Sequence, residues 1–231
     1  MKKFILLLSL AALFNSCVGV KGNGNVESST REVDSFTGIR ASGIIKVIVK
    51  QGDVQSVNIS ADANILPLIE TSVSRGVLTI RSKKGISSYE KLIVNVVVPK
   101  LESVNLSGAA GLSSQGKIKS SNMDLEASGS SDINIDLECH DIEVELSGSA
   151  NIDIKGSTDK LEVEASGASS LKAYSLQAKS AEVETSGASG VKISVEKKIK
   201  ASASGASNIS FKGNPKDVVQ STSGAASINS K

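Results

Sequence analysis

Few side chains in this 231-residue sequence could carry nucleophilic or metal chemistry. There is one histidine, His140, and two cysteines, Cys17 and Cys139. A nucleophilic serine needs one privileged copy beside a general base, but here the Ser-Gly phrase recurs many times. A Cys-His metal site would likewise need ligands that Cys139 and His140 alone do not supply. We therefore predict no catalytic residue, no metal ligand and no cofactor-binding residue. The serines of the repeated phrase that are considered as nucleophiles are Ser128, Ser147, Ser166, Ser186 and Ser204.

Carboxylates are the remaining candidates, because two of them facing each other across a cleft could hydrolyse a glycosidic bond. The glutamates recur in pairs at a regular interval, so we interpret them as a solvated face that alternates in charge with Lys155, Lys172 and Lys192. Asp132 and Asp153 are weak candidates for calcium ligands, since no Gly-Gly-x-Gly-x-Asp repeat is present. The acidic residues concerned are Asp132, Asp136, Asp141, Asp153, Glu143, Glu145, Glu162, Glu164, Glu182 and Glu184.

The second half of the chain is organised by a short phrase, Ser-Gly followed by Ala or Ser, that returns seven times at intervals of 18 to 21 residues. Each glycine is followed four residues later by Ile, Leu or Val, and apolar residues at every second position precede most of them. Period-two alternation on both sides of a turn predicts strand, tight corner, strand. An earlier copy occurs at Ala41-Ser42-Gly43. The predicted corner glycines are Gly43, Gly108, Gly129, Gly148, Gly167, Gly187, Gly205 and Gly224.

A repeat near twenty residues with strand periodicity predicts an all-β solenoid, a parallel β-helix with about 19 to 20 residues per coil. Residues 101–231 are the predicted regular coils. Residues 33–100 are strand-like but irregular, and we interpret them as the first rungs and the cap, with a separate β domain joined at Pro99 as the alternative. Asn64 to Ser72 are expected to form a short helix or a loop.

Residues 1–17 have the pattern of a lipoprotein signal peptide. Two lysines precede an apolar run that ends at Ser16-Cys17, and this ending resembles a bacterial lipobox, which implies an acylated Cys17. An ordinary secretory signal is the alternative. Residues 18–32, rich in Gly, Asn, Ser and Thr, are predicted to be a flexible tether. Removal of residues 1–17 leaves 24 basic and 24 acidic residues, so no nucleic-acid partner is expected.

Several stretches resemble the head GIN domain, or auto-transporter adhesin, family. They are Phe36-x-x-Ile39-x-x-Ser42-Gly43, the strand Gly76 to Ile80, the run from Val94 to Pro99, and the Ser-Gly-Ala repeats with adjacent Asn and Ile. The resemblance covers nearly all of the chain after residue 32. It implies a right-handed, pectin-lyase-like β-helix, export as a lipoprotein or secreted protein, and an adhesive role without established catalytic residues.

We expect an outer-membrane lipoprotein that acts as a non-catalytic binding, adhesion or structural module. Its partners would be the membrane, through Cys17, and a glycan, an envelope polymer or a protein. Aromatic residues make up only 3% of the chain and tryptophan is absent, so stacking on sugar rings has little support. A polysaccharide lyase or hydrolase on a β-helix is the alternative, by analogy of fold alone. The side of the membrane and the oligomeric state stay open.

Overall fold

The computed structural model describes residues 19–231, which form eighteen strands and one 3-10 turn. The strands of the first part are β1 (Val20–Lys21), β2 (Val26–Arg31), β3 (Gly38–Gly43), β4 (Lys46–Gln51), β5 (Ser56–Asp62), β6 (Ile69–Ser74), β7 (Val77–Ser82), β8 (Ile86–Ser88) and β9 (Leu92–Val98), with the 3-10 turn at Leu66–Leu68. Those of the second part are β10 (Ser103–Gly108), β11 (Gly111–Ala127), β12 (Asp132–Leu146), β13 (Asn151–Ala165), β14 (Ser170–Thr185), β15 (Gly190–Ala203), β16 (Asn208–Lys212), β17 (Asp217–Thr222) and β18 (Ser227–Ser230).

The predicted parallel β-solenoid is confirmed. One sheet contains sixteen of the strands, and β10 to β18 pair in parallel with the coil before and after them. The residue four positions after a corner glycine stacks on its equivalent in the next coil, as Leu112 does on Ile133 and Ile133 on Ile152. These side chains point into the core and are buried. Each coil thus covers the apolar face of its neighbour, which no coil could bury alone.

The eight corner glycines form a column along one edge of the rod. All have positive φ, between 69° and 84°, a region that side chains other than glycine rarely adopt. A Cβ on Gly148 would also lie 2.8 Å from the carbonyl oxygen of Gly129 in the coil below. From Gly108 onward, the amide after each corner glycine donates to the glycine carbonyl one coil earlier, for example Ser149 to Gly129 at 2.7 Å. Close backbone stacking therefore requires glycine at this position.

Small residues fill the inside of each corner. From Gly108 to Gly205, the residue two positions after the glycine is buried and is either Ala, as at Ala150, or Ser, as at Ser169. The hydroxyl of Ser169 donates to the carbonyl of Ser166 at 2.8 Å, and Ser131, Ser189 and Ser207 make the same bond. A buried hydroxyl is thereby satisfied within its own turn, so the corner can be tight without an unpaired polar group.

The first part of the chain completes the same sheet. Gly43 stacks directly on Gly108, although 65 residues separate them, because β3 and β4 pair in parallel with β10 and β11. One rung further out, β7 and β9 stack on β3 and β4. Beyond these the pairing becomes antiparallel: β6 covers β7, β5 covers β9, and β2 covers β5. We call residues 19–100 the cap and residues 101–231 the coils.

Two details of the cap differ from the sequence prediction. The segment expected to be a flexible tether contains β1 and β2, and β2 pairs along its length with β5. The composition of this segment did not indicate a strand, because an edge strand at the end of a rod needs few apolar side chains. The stretch expected to be a helix or loop contains the short turn at Leu66–Leu68 and then continues as β6. In residues 19–231, no helix has the length and apolarity needed to cross a bilayer.

Asp62 holds the beginning of the cap in place. This fully buried carboxylate accepts hydrogen bonds from the backbone amides of Gly24 at 2.9 Å, Glu90 at 3.1 Å and Lys91 at 3.0 Å. The amide of Lys91 is the main cause that lowers the pKa of Asp62, because the ionised form accepts these bonds best. One side chain therefore joins the N-terminal strand to the loop before β9.

Candidate binding surface

The outward side chains of the strand before each corner form two acidic columns. The inward residues of this strand lie two, four and six positions before the glycine, so the residues three and five positions before it face solvent. Parallel pairing in register then stacks equivalent residues about 4.8 Å apart. The first column, which we call the glutamate ladder, consists of Glu126, Glu145, Glu164 and Glu184. The second column consists of Asp124, Glu143, Glu162 and Glu182.

The two columns differ in how their charge is balanced. In the second column, Glu162 pairs with Lys160 and Glu182 pairs with Lys200 at 2.5 Å. In the part of the chain that the structure describes, Asp124 and Glu143 of this column form no ion pair. The glutamate ladder begins beside the cap, where the amide of Asn105 donates to Glu126. Within residues 19–231, the other three ladder carboxylates form neither an ion pair nor a hydrogen bond. Like charges stacked this closely repel each other, so the ladder is a surface that a complementary ligand would stabilise.

The pKa shifts do not divide cleanly between the columns, because desolvation also raises the pKa of Asp124 in the second column. Desolvation raises the pKa of Glu145, and the neighbouring carboxylates of Glu126 and Glu164 add to the rise. The hydrogen bond from Lys200 lowers the pKa of Glu182 in the second column. A ligand cation or hydrogen-bond donor at Glu145, in the middle of the ladder, would therefore be favourable.

A shallow groove of about 470 Å³ runs between the glutamate ladder and the glycine corners. It crosses several coils, and small side chains such as Ser147, Ala165 and Ser186 line its corner side. The hydroxyls of Ser166 and Ser204 are engaged with carbonyls of the preceding coil at 3.3 Å. The groove is continued past Glu184 by Ser202 and Ser221, which occupy the ladder position in the last coils.

The expected charge alternation with Lys155, Lys172 and Lys192 is wrong. Lys172 and Lys192 stack on each other in the strand that follows the corner, on a different face from the glutamates. Lys155 lies on the bend after that strand and pairs with Asp136 at 3.6 Å. Residues adjacent in the repeat are on different faces of the coil, because the chain turns at the glycine between them. The ladder is therefore more acidic than the sequence pattern indicated.

Cys139 and His140 lie at another corner, away from the groove. Cys139 is an inward residue of β12, 8% exposed, with its thiol 3.2 Å from the carbonyl oxygen of Ser121. Burial raises the pKa of this thiol. His140 is exposed and lies 3.0 Å from Asp159, which also pairs with Lys179. Over residues 19–231, no group of three or more His, Cys, Asp or Glu side chains is arranged to hold a metal ion.

The remaining predicted site residues divide into two groups. The corner glycines have the positive φ that a tight corner requires. Cys17, the predicted lipidation residue, lies outside the described residues. The glutamates were predicted from the sequence to face outward, but their stacking into one column of four was not predicted. Their constant position three residues before the glycine is the signal that would have found it.

Comparison with protein families gives one match along most of the chain. The family described as putative auto-transporter adhesin, head GIN domain, matches residues 35–215. A search of curated proteins found no match.

Solved structures share the fold at low sequence identity. A putative adhesin from Bacteroides fragilis has a TM-score of 0.86 and 20% identity, and the match covers 92% of this chain and all of that one. A putative lipid binding protein from Parabacteroides distasonis has a TM-score of 0.72, 19% identity and coverage of 92% and 99%. A putative adhesin from Parabacteroides merdae has a TM-score of 0.70, 20% identity and the same coverage.

Proposed function

Because the chain belongs to the head GIN domain family of auto-transporter adhesins, we propose that it is a non-catalytic adhesion module of the cell envelope that binds its ligand along the glutamate ladder. The observation that carries this proposal is the column of Glu126, Glu145, Glu164 and Glu184 beside a continuous groove, in which Glu145, Glu164 and Glu184 have no partner within residues 19–231. A catalytic site would need one privileged centre, whereas the groove repeats the same contacts coil after coil.

The ladder suits an extended polymer that bears amino or hydroxyl groups. Carboxylates accept hydrogen bonds from both groups, and acceptors about 4.8 Å apart can be used one after another by a single chain. Each contact at an exposed site is weak, but several linked contacts raise the overall affinity far above that of one. We therefore expect a glycan, an envelope polymer or a basic protein segment as the ligand, bound weakly per repeat and strongly per polymer.

Membrane attachment would come from acylation of Cys17, in the outer membrane. The lipobox-like end of the apolar run supports this part of the proposal, and several acyl chains on one residue give stable anchoring. Mass spectrometry of the mature protein from cells should show acyl groups on an N-terminal cysteine. A mature protein that begins at another residue, or that carries no lipid, would contradict it.

The adhesive role can be tested with an array of glycans, matrix proteins and envelope polymers. The triple variant Glu145→Gln, Glu164→Gln, Glu184→Gln keeps the shape of the groove and removes its charge. We expect the wild-type protein to bind at least one polymer, and the variant to lose at least tenfold in affinity.

A matched control changes three exposed glutamates elsewhere, Glu27, Glu32 and Glu196, to Gln. This variant has the same net charge as the ladder variant and should bind like the wild type. Equal loss in both variants would show that only total charge matters. Cleavage of any polymer on the array would favour the enzymatic alternative over adhesion.

A further inference from the structure

The first described residues leave little chain between Cys17 and the folded domain. Gly19 already contacts the body of the protein, because its carbonyl accepts a hydrogen bond from the Ser87 hydroxyl at 3.2 Å. The amide of Val20 donates to Gly85 at 2.8 Å, and β1 then pairs with β8. Two residues span at most about 7 Å. An acyl group on Cys17 would therefore hold this part of the cap against the headgroups.

Basic side chains surround the point where the chain enters the cap. Lys21 is in β1, and Lys83 and Lys84 precede the loop residue Gly85 that contacts Gly19. All three are exposed; Lys83 pairs with Glu70 at 3.4 Å, and within residues 19–231 the other two form no ion pair. Tyr89, half-buried, follows β8 at the start of the loop before β9. We call Lys21, Lys83, Lys84 and Tyr89 the basic surface.

The net charge of the rod is also unevenly distributed, with the basic end at the cap. The cap contains 11 basic and 7 acidic residues, a net charge of +4, whereas the coils contain 13 basic and 17 acidic residues, a net charge of −4. A bilayer that contains anionic phospholipid attracts lysines close to its surface and repels carboxylates. This effect decays within about 8 Å at physiological ionic strength, so it acts on the residues nearest the anchor.

We propose that the basic surface lies directly on the phospholipid headgroups, so that the rod stands on its cap with the glutamate ladder directed away from the membrane. This inference rests on the proposed anchor at Cys17. The anchor fixes one end, the lysines favour contact at that end, and the acidic coils disfavour a rod that lies flat. Seven intervals of about 4.8 Å between the eight corners place the last coil roughly 34 Å from the first.

The two tyrosines of the chain offer a matched pair of reporters. The sequence has no tryptophan, so Tyr89→Trp and Tyr174→Trp each introduce a single indole. Tyr89 is on the basic surface, and Tyr174 is in β14, about five coil intervals, or roughly 24 Å, further along the axis. The acylated proteins would be placed in vesicles of phosphatidylethanolamine and phosphatidylglycerol that contain a phospholipid spin-labelled at the headgroup.

We expect the indole at position 89 to be quenched at least threefold more strongly than the indole at position 174. Equal quenching would show a rod that lies flat, and stronger quenching at 174 would show the opposite orientation. No quenching at either position would show a domain held off the surface. Each of these three results would overturn the proposal.

The role of the lysines is tested by Lys83→Glu with Lys84→Glu, in the Tyr89→Trp protein. The matched control is Lys172→Glu with Lys192→Glu on the coils. We expect the first pair to reduce the quenching at position 89 by at least half in anionic vesicles, and the control pair to leave it unchanged. An equal effect of both pairs would reject the basic surface as the contact.

Failure of the anchor and failure of the orientation can be told apart. If the protein from cells carries no lipid, the anchor proposal fails. The orientation is then tested with a mature chain whose Cys17 thiol is coupled to a maleimide phospholipid, which restores the short link. Cys139 is buried and stays unlabelled. Stronger quenching at position 89 in this sample supports the basic surface, and its absence overturns it.

Discussion

The two ends of the rod differ in how the outermost coil is covered. At the cap, antiparallel strands cover the last parallel rung, and Ile59, Ile65 and Ile69 are buried there. At the other end, β17 and β18 continue the parallel repeat, and Val218 and Val219 are 44% and 56% exposed. The comparison shows that the repeat determines how coils stack but does not itself end the stack. Closing an end requires a sequence outside the repeat.

The largest expected effect comes from a corner glycine inside the stack. Gly148→Val should lower the free energy of unfolding by about 4 kcal/mol, because positive φ costs about 1–3 kcal/mol and the Cβ also meets the Gly129 carbonyl. Gly224→Val in the last coil should cost less, since that coil can shift outward. Urea denaturation would measure both.

Gly190→Ala is the control for this pair, because Gly190 has no positive φ and its Cβ would meet no atom within 4 Å. It should change the free energy of unfolding by less than about 1 kcal/mol. An equal loss of stability at Gly148 and Gly224 would show that the last coil is as firmly held as the interior.

Truncation of the aliphatic columns gives the next largest effect. Ile152→Ala should cost about 3 kcal/mol, because Ile152 is buried between two coils and the substitution leaves a cavity. Ile228→Ala, at the same repeat position but half-buried in the last coil, should cost about 1 kcal/mol. Thermal and urea unfolding would measure the difference. Equal costs would mean that something covers the last coil.

Asp62→Asn should open the beginning of the cap while the coils stay folded. Asparagine keeps the shape but accepts the backbone hydrogen bonds of Gly24 and Lys91 more weakly than a carboxylate. Hydrogen exchange should become faster in residues 20–31 and 86–92 and stay unchanged in the coils. Faster exchange throughout the chain would show that the cap and the coils unfold together.

The same group gives a dependence on pH. Since the pKa of Asp62 is lower in the folded state, its stabilisation is present above the unfolded value near 3.8 and is lost as the pH falls through the folded value. Acid should therefore release the cap strands of the wild-type protein, and Asp62→Asn should remove this pH dependence. Exchange measured as a function of pH in both proteins tests the sign.

The smallest effects should have opposite signs at Glu145 of the ladder and Glu182 of the second column. The raised pKa of Glu145 means that its ionisation destabilises the fold as the pH rises above about 4.5, so Glu145→Gln should stabilise the protein slightly at pH 7, by less than about 0.5 kcal/mol. Glu182→Gln should destabilise it, because the pKa of Glu182 is lowered by Lys200. Urea midpoints at low salt would show the two signs. A destabilising Glu145→Gln would mean that the ladder carboxylate has a favourable partner.

The regular coils were predictable because the residues that determine the conformation of each coil lie within one repeat. A glycine that needs positive φ marks the corner, and alternation on both sides marks the inward residues, from Leu112 to Ile228. The cap was harder to predict, because β2 owes its strand conformation to pairing with β5 rather than to its own pattern. The role of Asp62 could not be predicted from the sequence, since its hydrogen-bond partners are backbone amides of distant segments.

The sequence by itself determined that the chain winds into a stack of β coils, because hydrophobic alternation and glycine conformation act over a few neighbouring residues. Only the tertiary structure decided which faces the charges occupy. Lys172 and Glu164 are eight residues apart, yet the corner at Gly167 sends them to different faces, and stacking in register brings Glu145 beside Glu164 instead. The position of a residue within its repeat indicates the column to which it belongs, but the bends of the folded chain decide which columns lie on the same face.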